Sequence, residues 1–476
     1  MPYQHGIFGQ QVPTTDTLPP SGVATLPVYI GTAPVQQLAD PAAAVNVPIL
    51  VNSFEDAQAK LGYSDDWATF TLCEAVYAHF RNSIQAIGPI VVINIMDPAT
   101  HKSADTANVA ITNGVGYLDA PAILSSIVIT GKVLGTDYTV EYTTDGRVKF
   151  TALTTLANPT TVDFDKMDVS LVQDSDIVGG NVAGVRTGIS VVELIYQTQN
   201  MIPTILGAPG WSQKPTIKAA LTSMAQNING HWDALVVADI DSSAATTIAA
   251  AKTWKDTNSY IDSNMKIGWP KATSAGKSYF ASTLMAVRMQ QTDYANDNVP
   301  FVSPSNKQVG ISSLLLAGGT AISFDETEAN DLNAAGITTF NYRGGQWVLW
   351  GPHCANYVYG ATIDPKDVFD AGIRMMMYMT NTFQENYMAN VDGPLNRSVV
   401  DTILNDANTW LNSLVADGKL LHGSIAFNET SNPTSSIVEG DFVFDIMTTT
   451  TPVAKSLTFK VQYTTKGINT LFGGVS

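Results

Sequence analysis

Apolar positions in the first hundred residues follow two different periods. Short apolar runs at 26–30 and 90–95 predict strands, and the second run is continuous enough for a strand buried on both faces. Between them, residues 54–61 and 69–82 show the three-to-four-residue spacing of amphipathic helices. The order strand, helix, helix, buried strand predicts the beginning of an α/β core over residues 21–98.

The same alternation of strands and helices returns over residues 196–355. Apolar runs at 203–207, 234–238, 266–269 and 346–350 predict further strands of the core. A helix is predicted to begin at Pro215 and to end at Gly230, because proline is favoured in the first turn and glycine after the last. Asp241-Ser242 is predicted to cap the next helix, which contains Trp254.

Residues 99–195 lack this rhythm and contain short runs of alternating apolar and polar positions. The clearest case is 138–142 and 148–150, separated by Asp145-Gly146, a strong hairpin signal. Because the α/β pattern resumes after this stretch, it is predicted to be a β-rich domain inserted into the core.

The C-terminal part, residues 356–454, begins with two helical patterns, one around the methionine-rich run 375–383 and one over 395–414. Alternating apolar residues then occur at 442–446 and again at Leu457, Phe459, Val461 and Tyr463. These two runs could pair as a hairpin within the chain, or the second could be donated to the sheet edge of another copy. Both arrangements can hold together if only the last dozen residues are donated.

Both ends of the chain are predicted to be extended arms. Residues 1–20 are rich in Pro, Gly and Thr and contain one charged residue, Asp16. Residues 452–476 contain Lys455, Lys460 and Lys466 and no acidic residue, a charge of +3. The remainder of the chain therefore carries −20, which gives the total of −17. A basic alternating strand at 455–476 suits docking on an acidic neighbouring copy.

Composition favours a subunit of an assembly. Only 14% of the 476 residues are charged, against a typical ~25%, so much of the surface is expected to face other copies. The net charge of −17 argues against direct nucleic-acid binding. Neither a signal peptide nor an apolar run long enough for membrane insertion is apparent, and two cysteines make no disulfide framework, which favours a reducing cytosol.

The sequence contains only weak candidates for a catalytic, nucleotide-binding or metal site. Gly276-Lys277-Ser278 resembles the end of a phosphate-binding loop, but Lys271 stands where that loop requires its first glycine. Asp239 and Asp241 follow a predicted strand, where helix capping and a turn explain them better than catalysis. The six histidines stand singly, without metal-ligand spacing. No catalytic, metal or cofactor-binding residue and no cofactor is therefore predicted, and a nucleotide-dependent enzyme using Lys277 and Asp239 is a weaker alternative.

Several short motifs occur in an order that resembles the tail sheath proteins of contractile-tailed phages and phage-tail-like bacteriocins. The resemblance covers roughly residues 22–98 and 200–356, with the early arm in addition. The motifs are Tyr3-x-His5-Gly6, YIGTAP at 29–34, GAPGW at 207–211, Trp269-Pro270, PFVSPSNK at 300–307 and WVLWG at 347–351.

This resemblance implies an α+β multidomain subunit whose C-terminal sheet is completed by arms from neighbouring subunits. It implies helical polymerisation around a tail tube, contraction from a metastable extended state, and contacts with the tube, baseplate and tail terminator proteins. The location would be the tail of a virion or of a bacteriocin particle, made in the cytoplasm of the host bacterium. A static surface or capsid-like polymer is the alternative assembly.

The resemblance also assigns residues. By position, Arg397 in the stretch 384–398 would face the tube. The arm residues that would contact neighbouring subunits are Tyr3, His5, Leu457, Phe459, Val461, Tyr463, Lys466, Ile468, Leu471 and Phe472.

Overall fold

Residues 23–472 are described by the computed structural model of the chain. The predicted arm residues Tyr3 and His5 lie outside the described residues. The first part of the core comprises β1 (Pro27–Gly31), β2 (Pro48–Val51), α1 (Phe54–Leu61), α2 (Thr71–Phe80) and β3 (Ile90–Asn94). The predicted helix at 54–61 is confirmed; the Ser53 side chain caps it, and it ends before Gly62, whose φ is +74°.

A β-rich unit follows β3. It comprises β4 (Lys102–Val109), β5 (Val115–Leu118), β6 (Tyr138–Tyr142), β7 (Val148–Ala152) and β8 (Thr160–Met167). β4 pairs with β8, and β5, β7 and β6 form a three-stranded antiparallel sheet. The hairpin predicted at Asp145-Gly146 is confirmed as β6–β7. Tyr138, Phe150 and Phe164 are buried in a hydrophobic cluster that is separate from the main core.

The chain returns to the main core earlier than the predicted boundary at residue 195. Val172, Ile177 and Ile189 are buried in the same cluster as the strands of the core. The stretch contains α3 (Asp174–Val178), β9 (Gly180–Val182), β10 (Val185–Thr187) and α4 (Ile195–Gln199). Residues 169–195 therefore pack with the core, because their apolar side chains find a partner surface there and not on the β-rich unit.

The second part of the core alternates strands and helices. In chain order these are β11 (Ile205–Gly207), α5 (Pro215–Ala225), β12 (Leu235–Asp239), α6 (Ile248–Thr257), β13 (Met265–Gly268), β14 (Lys271–Ser274), β15 (Lys277–Tyr279), α7 (Ala281–Tyr294), β16 (Ser313–Leu315), β17 (Ala321–Ile322), α8 (Glu326–Ala334), β18 (Ile337–Arg343) and β19 (Gln346–Trp350).

Two predicted helix boundaries in this part are wrong. α5 begins at Pro215 as predicted but ends at Ala225, before a tight turn in which Ile228 bridges to Trp232. α6 is capped by Thr247, whose hydroxyl accepts a hydrogen bond from the Ala250 N–H at 3.2 Å. Asp241 instead accepts hydrogen bonds from the backbone and hydroxyl of Ser243, which stabilise a local turn and not a helix.

The core strands form one eight-stranded sheet in the order β19-β18-β13-β12-β11-β1-β3-β2. The six inner strands run parallel, and the two edge strands, β2 and β19, are antiparallel to their neighbours. Helices cover its faces, so the inner strands are buried along their whole length, as continuous apolar runs require.

The C-terminal unit contains α9 (Asp370–Tyr387), α10 (Arg397–Ala416), β20 (Leu420–Ala426), α11 (Thr434–Glu439) and β21 (Asp445–Thr450). β20 and β21 form a two-stranded antiparallel sheet. Met375 and Met379 of α9 pack with Leu411 of α10 in a third hydrophobic cluster. Together with the core and the β-rich unit, this arrangement confirms the α+β multidomain class.

The hairpin left open between the runs at 442–446 and 457–463 is not formed in the described chain. β21 takes β20 as its partner, in the register Ile446 opposite Ile425. Residues 451–464 form no helix or strand, and a single 3₁₀ helix (Lys466–Phe472) ends the described chain. β20, the segment directly after α10, pairs with one edge of β21 in place of residues 457–463.

Candidate assembly interface

The two-stranded sheet of the C-terminal unit rests with one face on α10. Leu420 and Ile425 of β20 are buried against this helix. Gly423 of the same strand lies so close to α10 that an added Cβ would come within 3.2 Å of Leu411. The helix therefore fixes one face of the sheet, while Leu421 and Met447 on the strands remain exposed.

The two outer edges of this sheet are not equivalent. The Ile425 N–H donates to Asn408 Oδ1 of α10 at 3.2 Å, and Asn408 Nδ2 donates to the Ile425 carbonyl at 3.5 Å. A single side-chain amide thus takes both backbone groups that a further strand would use at this point of β20. The sequence gives no signal for this contact, because an asparagine in a helix has no fixed partner.

The edge of β21 is left without such a cover. Ile425 directs its backbone N–H and C=O away from β21, so its partner Ile446 directs its own N–H and C=O away from β20. Because this direction alternates along a strand, the backbone groups of positions 448 and 450 also point outward. Among the described residues, no hydrogen bond is made to these outward backbone groups. β21 is therefore the edge of the sheet that can accept another strand.

The predicted arm residues of 457–463 are among the most exposed apolar side chains of the described chain. The exposed fraction is 73% for Leu457, 84% for Phe459, 96% for Val461 and 81% for Tyr463. They alternate with Thr458, Lys460 and Gln462, so an extended chain places all four apolar side chains on one side. Apolar surface displayed in this pattern is typical of a strand that completes its packing on a partner.

The remaining predicted residues are placed as follows. Lys466, Ile468, Leu471 and Phe472 fall in the terminal 3₁₀ helix, where Ile468 and Leu471 are exposed. Arg397 is the first residue of α10, is largely exposed, and pairs with Asp401 one turn later at 2.8 Å. The structure brings Leu457 to Tyr463 together in one segment, whereas Arg397 lies on a separate element.

Charge distinguishes the arm from the unit that precedes it. Residues 356–451 contain twelve acidic and four basic residues, a net charge of −8, whereas residues 452–476 contain three lysines and no acid. The two segments therefore carry opposite charges and attract each other.

The residues of the alternative enzyme hypothesis have other partners. Asp239, predicted to lie in a turn, is the buried last residue of β12 and accepts hydrogen bonds from the Ser282 backbone N–H at 2.9 Å and from the hydroxyls of Ser212 and Ser282. Lys277 lies in the β14–β15 hairpin and donates to Asp65 at 2.5 Å. Ala275-Gly276 forms the tight turn of this hairpin, so the glycine precedes a strand and not the helix of a phosphate-binding loop.

The crevice where α/β sheets commonly bind ligands is filled by the chain itself. Strand order reverses between β1 and β11, at the ends carrying Gly31 and Gly207. A Cβ added at Gly31 would lie 2.4 Å from the Thr71 hydroxyl, and one at Gly210 would lie 2.9 Å from the Thr71 methyl. Gly31 of YIGTAP and Gly210 of GAPGW are therefore explained by the close approach of Thr71, at the start of α2.

Within 23–472, no helix combines the length and apolar character that a bilayer crossing demands. In the same range, no three His, Cys, Asp or Glu side chains are grouped so that they could share a metal ion.

Glu74 on α2 is a buried carboxyl inside the core, with an exposed fraction of 1%. Its Oε1 accepts a hydrogen bond from the Phe280 N–H at 2.7 Å. Burial raises its pKa to about 7, and the positive charge of Lys271 offsets only part of that effect. The folded chain therefore holds this carboxyl partly neutral near neutral pH.

Replacing Glu74 by Gln is expected to remove a pH-dependent loss of stability. Below pH 4.5 the carboxyl is neutral in the folded and the unfolded chain, and as pH rises towards 7 only the unfolded chain ionises freely. The wild type should therefore lose ~3 kcal/mol of unfolding free energy relative to E74Q across this range. Chemical denaturation of both proteins at several pH values measures this difference, and parallel profiles would contradict it.

Comparison with known proteins adds to this geometry. No family model matches the chain. The tail sheath protein of Burkholderia phage BcepMu is 27% identical over 470 residues, which cover 94% of this chain and 93% of that protein. The major tail sheath protein of Serratia phage KSP20 is 26% identical over 309 residues, which cover 62% of this chain and 73% of that protein.

A solved structure shows the same fold. The sheath complex of an extracellular contractile injection system, PVC, in its contracted state, has a TM-score of 0.57 at 12% identity, with 98% of this chain and 99% of that chain covered. The resemblance predicted from the motifs is thus confirmed: over nearly its whole length, this chain is similar to the tail sheath proteins of phages.

Proposed function

We propose that this chain is a structural subunit of a contractile tail sheath that polymerises helically around a tail tube. Contraction from a metastable extended state would drive the tube through the envelope of the target cell. The observation that carries the proposal is the exposed alternating segment 457–463, present in the same chain as a two-stranded sheet with an uncovered edge. Each copy can therefore be both donor and acceptor of a strand.

Strand addition explains both halves of this pattern. The arm segment 457–463 has seven residues and β21 has six, so the two match in length as paired strands. Backbone hydrogen bonds to positions 446, 448 and 450 supply affinity, and the four apolar side chains would be buried on one face. Because the acceptor lies on another copy, strand addition can continue from subunit to subunit.

The beginning of the described chain is fixed beside the same unit. The Val23 N–H donates to the Thr382 hydroxyl of α9 at 3.3 Å, and the Thr25 hydroxyl donates to Asp293 at 2.6 Å. The described chain therefore begins next to α9, the helix on which β21 packs. In the proposal, the arm with Tyr3 and His5 joins a second neighbour from this position.

Contraction needs no nucleotide in this proposal, so the subunit is not an enzyme and uses no cofactor. Two packings that differ by a few kcal/mol per copy drive a large change when many copies move together. The arms keep neighbours connected during the movement. Proposed partners are further copies, the tube protein through the face with Arg397, and the baseplate and tail terminator proteins. The proposed location is the tail of a virion or bacteriocin particle, after synthesis of the chain in the host cytoplasm.

Deleting residues 457–476 tests the proposal together with electron microscopy of the full chain. The truncated chain should remain folded by circular dichroism but form no ordered tubes, because it lacks the donated segment 457–463. The full chain should form tubes of two helical geometries, extended and contracted. Normal tubes from the truncation would refute the arm, and a single geometry under all conditions would instead support a static surface polymer.

A further inference from the structure

The C-terminal arm leaves the folded chain at Lys455, which is held by two aromatic side chains. Lys455 Nζ donates to the Tyr357 hydroxyl at 3.3 Å. The same ammonium lies 5.7 Å from the ring centre of Tyr357 and 5.6 Å from that of Tyr359, within the range of cation–π attraction. We call Lys455, Tyr357 and Tyr359 the arm clamp.

The base of the arm clamp is part of the rigid core. The Tyr357 ring is buried and stacks on His353 with ring centres 3.5 Å apart and planes 2° apart. His353 stacks in turn on Phe369, and its carbonyl accepts a hydrogen bond from the buried Lys266 at 3.0 Å. The root of the arm is therefore attached to a fixed platform between the core and α9, and not to the two-stranded sheet.

The connector between β21 and the arm is long enough to allow a different arrangement. It comprises residues 451–456, about the length of an ordinary loop between secondary-structure elements. A chain released after Thr450 could turn back and pair residues 457–463 with its own β21. In the structure, Thr451 donates from its hydroxyl to the Gly418 carbonyl at 3.0 Å, and Lys455 is held by Tyr357, so the connector is fixed at both of its ends.

We propose that the arm clamp prevents the arm from pairing with its own β21 and thereby directs it to a second copy of the chain. This inference rests on the proposed function. Self-pairing would remove a donor strand and an acceptor edge from the same subunit at once. Self-pairing would also compete strongly with pairing between copies, since a tethered segment reaches an effective concentration in the ~mM range. Fixing the connector removes that competitor without any change in the acceptor edge.

The test compares Lys455→Gln with Lys460→Gln, two variants that lose the same charge from the same arm. Amide hydrogen exchange at positions 446, 448 and 450 is measured in dilute, unassembled protein. The wild type and K460Q should exchange these amides rapidly, and K455Q should show at least tenfold protection because its arm folds back. K455Q should also form tubes several-fold more slowly than K460Q at equal concentration.

Tyr359→Ala provides a second variant, since this ring is 73% exposed and its loss leaves the core intact. Y359A should also protect the amides at positions 446, 448 and 450 from exchange, as K455Q does. Rapid exchange in both variants, with tube formation at the rate of K460Q, would overturn the clamp. If the full chain forms no tubes, the proposed function fails, but amide protection in the unassembled variants still decides whether the clamp acts.

Discussion

Replacing Phe459 and Val461 together by Asp should abolish tube formation without unfolding the subunit. The two side chains are 84% and 96% exposed, so the unassembled chain loses no buried contact. In the proposed strand pairing, each would bury apolar surface worth roughly 1.5–3 kcal/mol, and the carboxylates would instead be desolvated. The protein concentration required for tubes should rise by at least ~100-fold, since each 1.4 kcal/mol is a factor of ten.

The matched control places the same two charges on the opposite side of the arm, at Thr458 and Gln462. In an extended strand these positions point away from the apolar side. T458D/Q462D should therefore assemble near the wild-type concentration. Sedimentation and negative-stain imaging measure both variants, and thermal unfolding of the unassembled proteins verifies that they remain folded. Equal loss in the two variants would show that added charge, and not strand pairing, is responsible.

Local patterns predicted elements whose signals lie within a few residues. The turn at Asp145-Gly146 and the alternation on both sides of it determine β6 and β7. α1 is predicted at its observed bounds, and in the structure Ser53 caps its start and Gly62 follows its end. The start of α8 carries a comparable local signal: Asp325 and Glu328 form a capping box, in which each side chain accepts a hydrogen bond from the backbone N–H of the other.

Elements determined by distant contacts were predicted less well. The segment 169–195 has a weak pattern of its own, and only the core surface decides where its apolar residues pack. The partner of β21 could not be chosen from alternation alone, because 420–426 and 457–463 are both suitable strands. β20 is selected by its packing on α10, at Gly423 against Leu411.

In the candidate interface, the donor arm has a local sequence signal, whereas the acceptor edge and the arm clamp depend on distant contacts. Alternation at 457–463 predicts the donor arm, because period two in a polar terminal segment needs no knowledge of the fold. The acceptor edge depends on Asn408 meeting Ile425, and the arm clamp joins Tyr357 to Lys455 across 98 positions. Neither contact has a local signature, so the sequence alone indicates only the charge of Lys455.

Replacing Lys266 by Met should cause the largest loss of stability of any change considered. Lys266 of β13 and Asp370 at the start of α9 are both fully buried, with Nζ and Oδ2 2.7 Å apart. Lys266 also donates to the carbonyls of Gly351 at 2.7 Å and His353 at 3.0 Å. All three ammonium protons are therefore used, and the pair connects the main sheet to the C-terminal unit.

The variant K266M leaves a buried carboxylate and two carbonyls without their donor. Breaking one partner of a buried pair costs about 3–5 kcal/mol, because the remaining charge is uncompensated. K266M/D370N should recover part of this loss, since the second change removes that charge. The control K252M breaks the exposed pair with Asp331, whose charged atoms are 2.6 Å apart, and should cost less than about 1 kcal/mol. Denaturant unfolding of the unassembled chains measures all three, and a loss in K266M no larger than in K252M would mean that the buried pair does not hold α9 to the sheet.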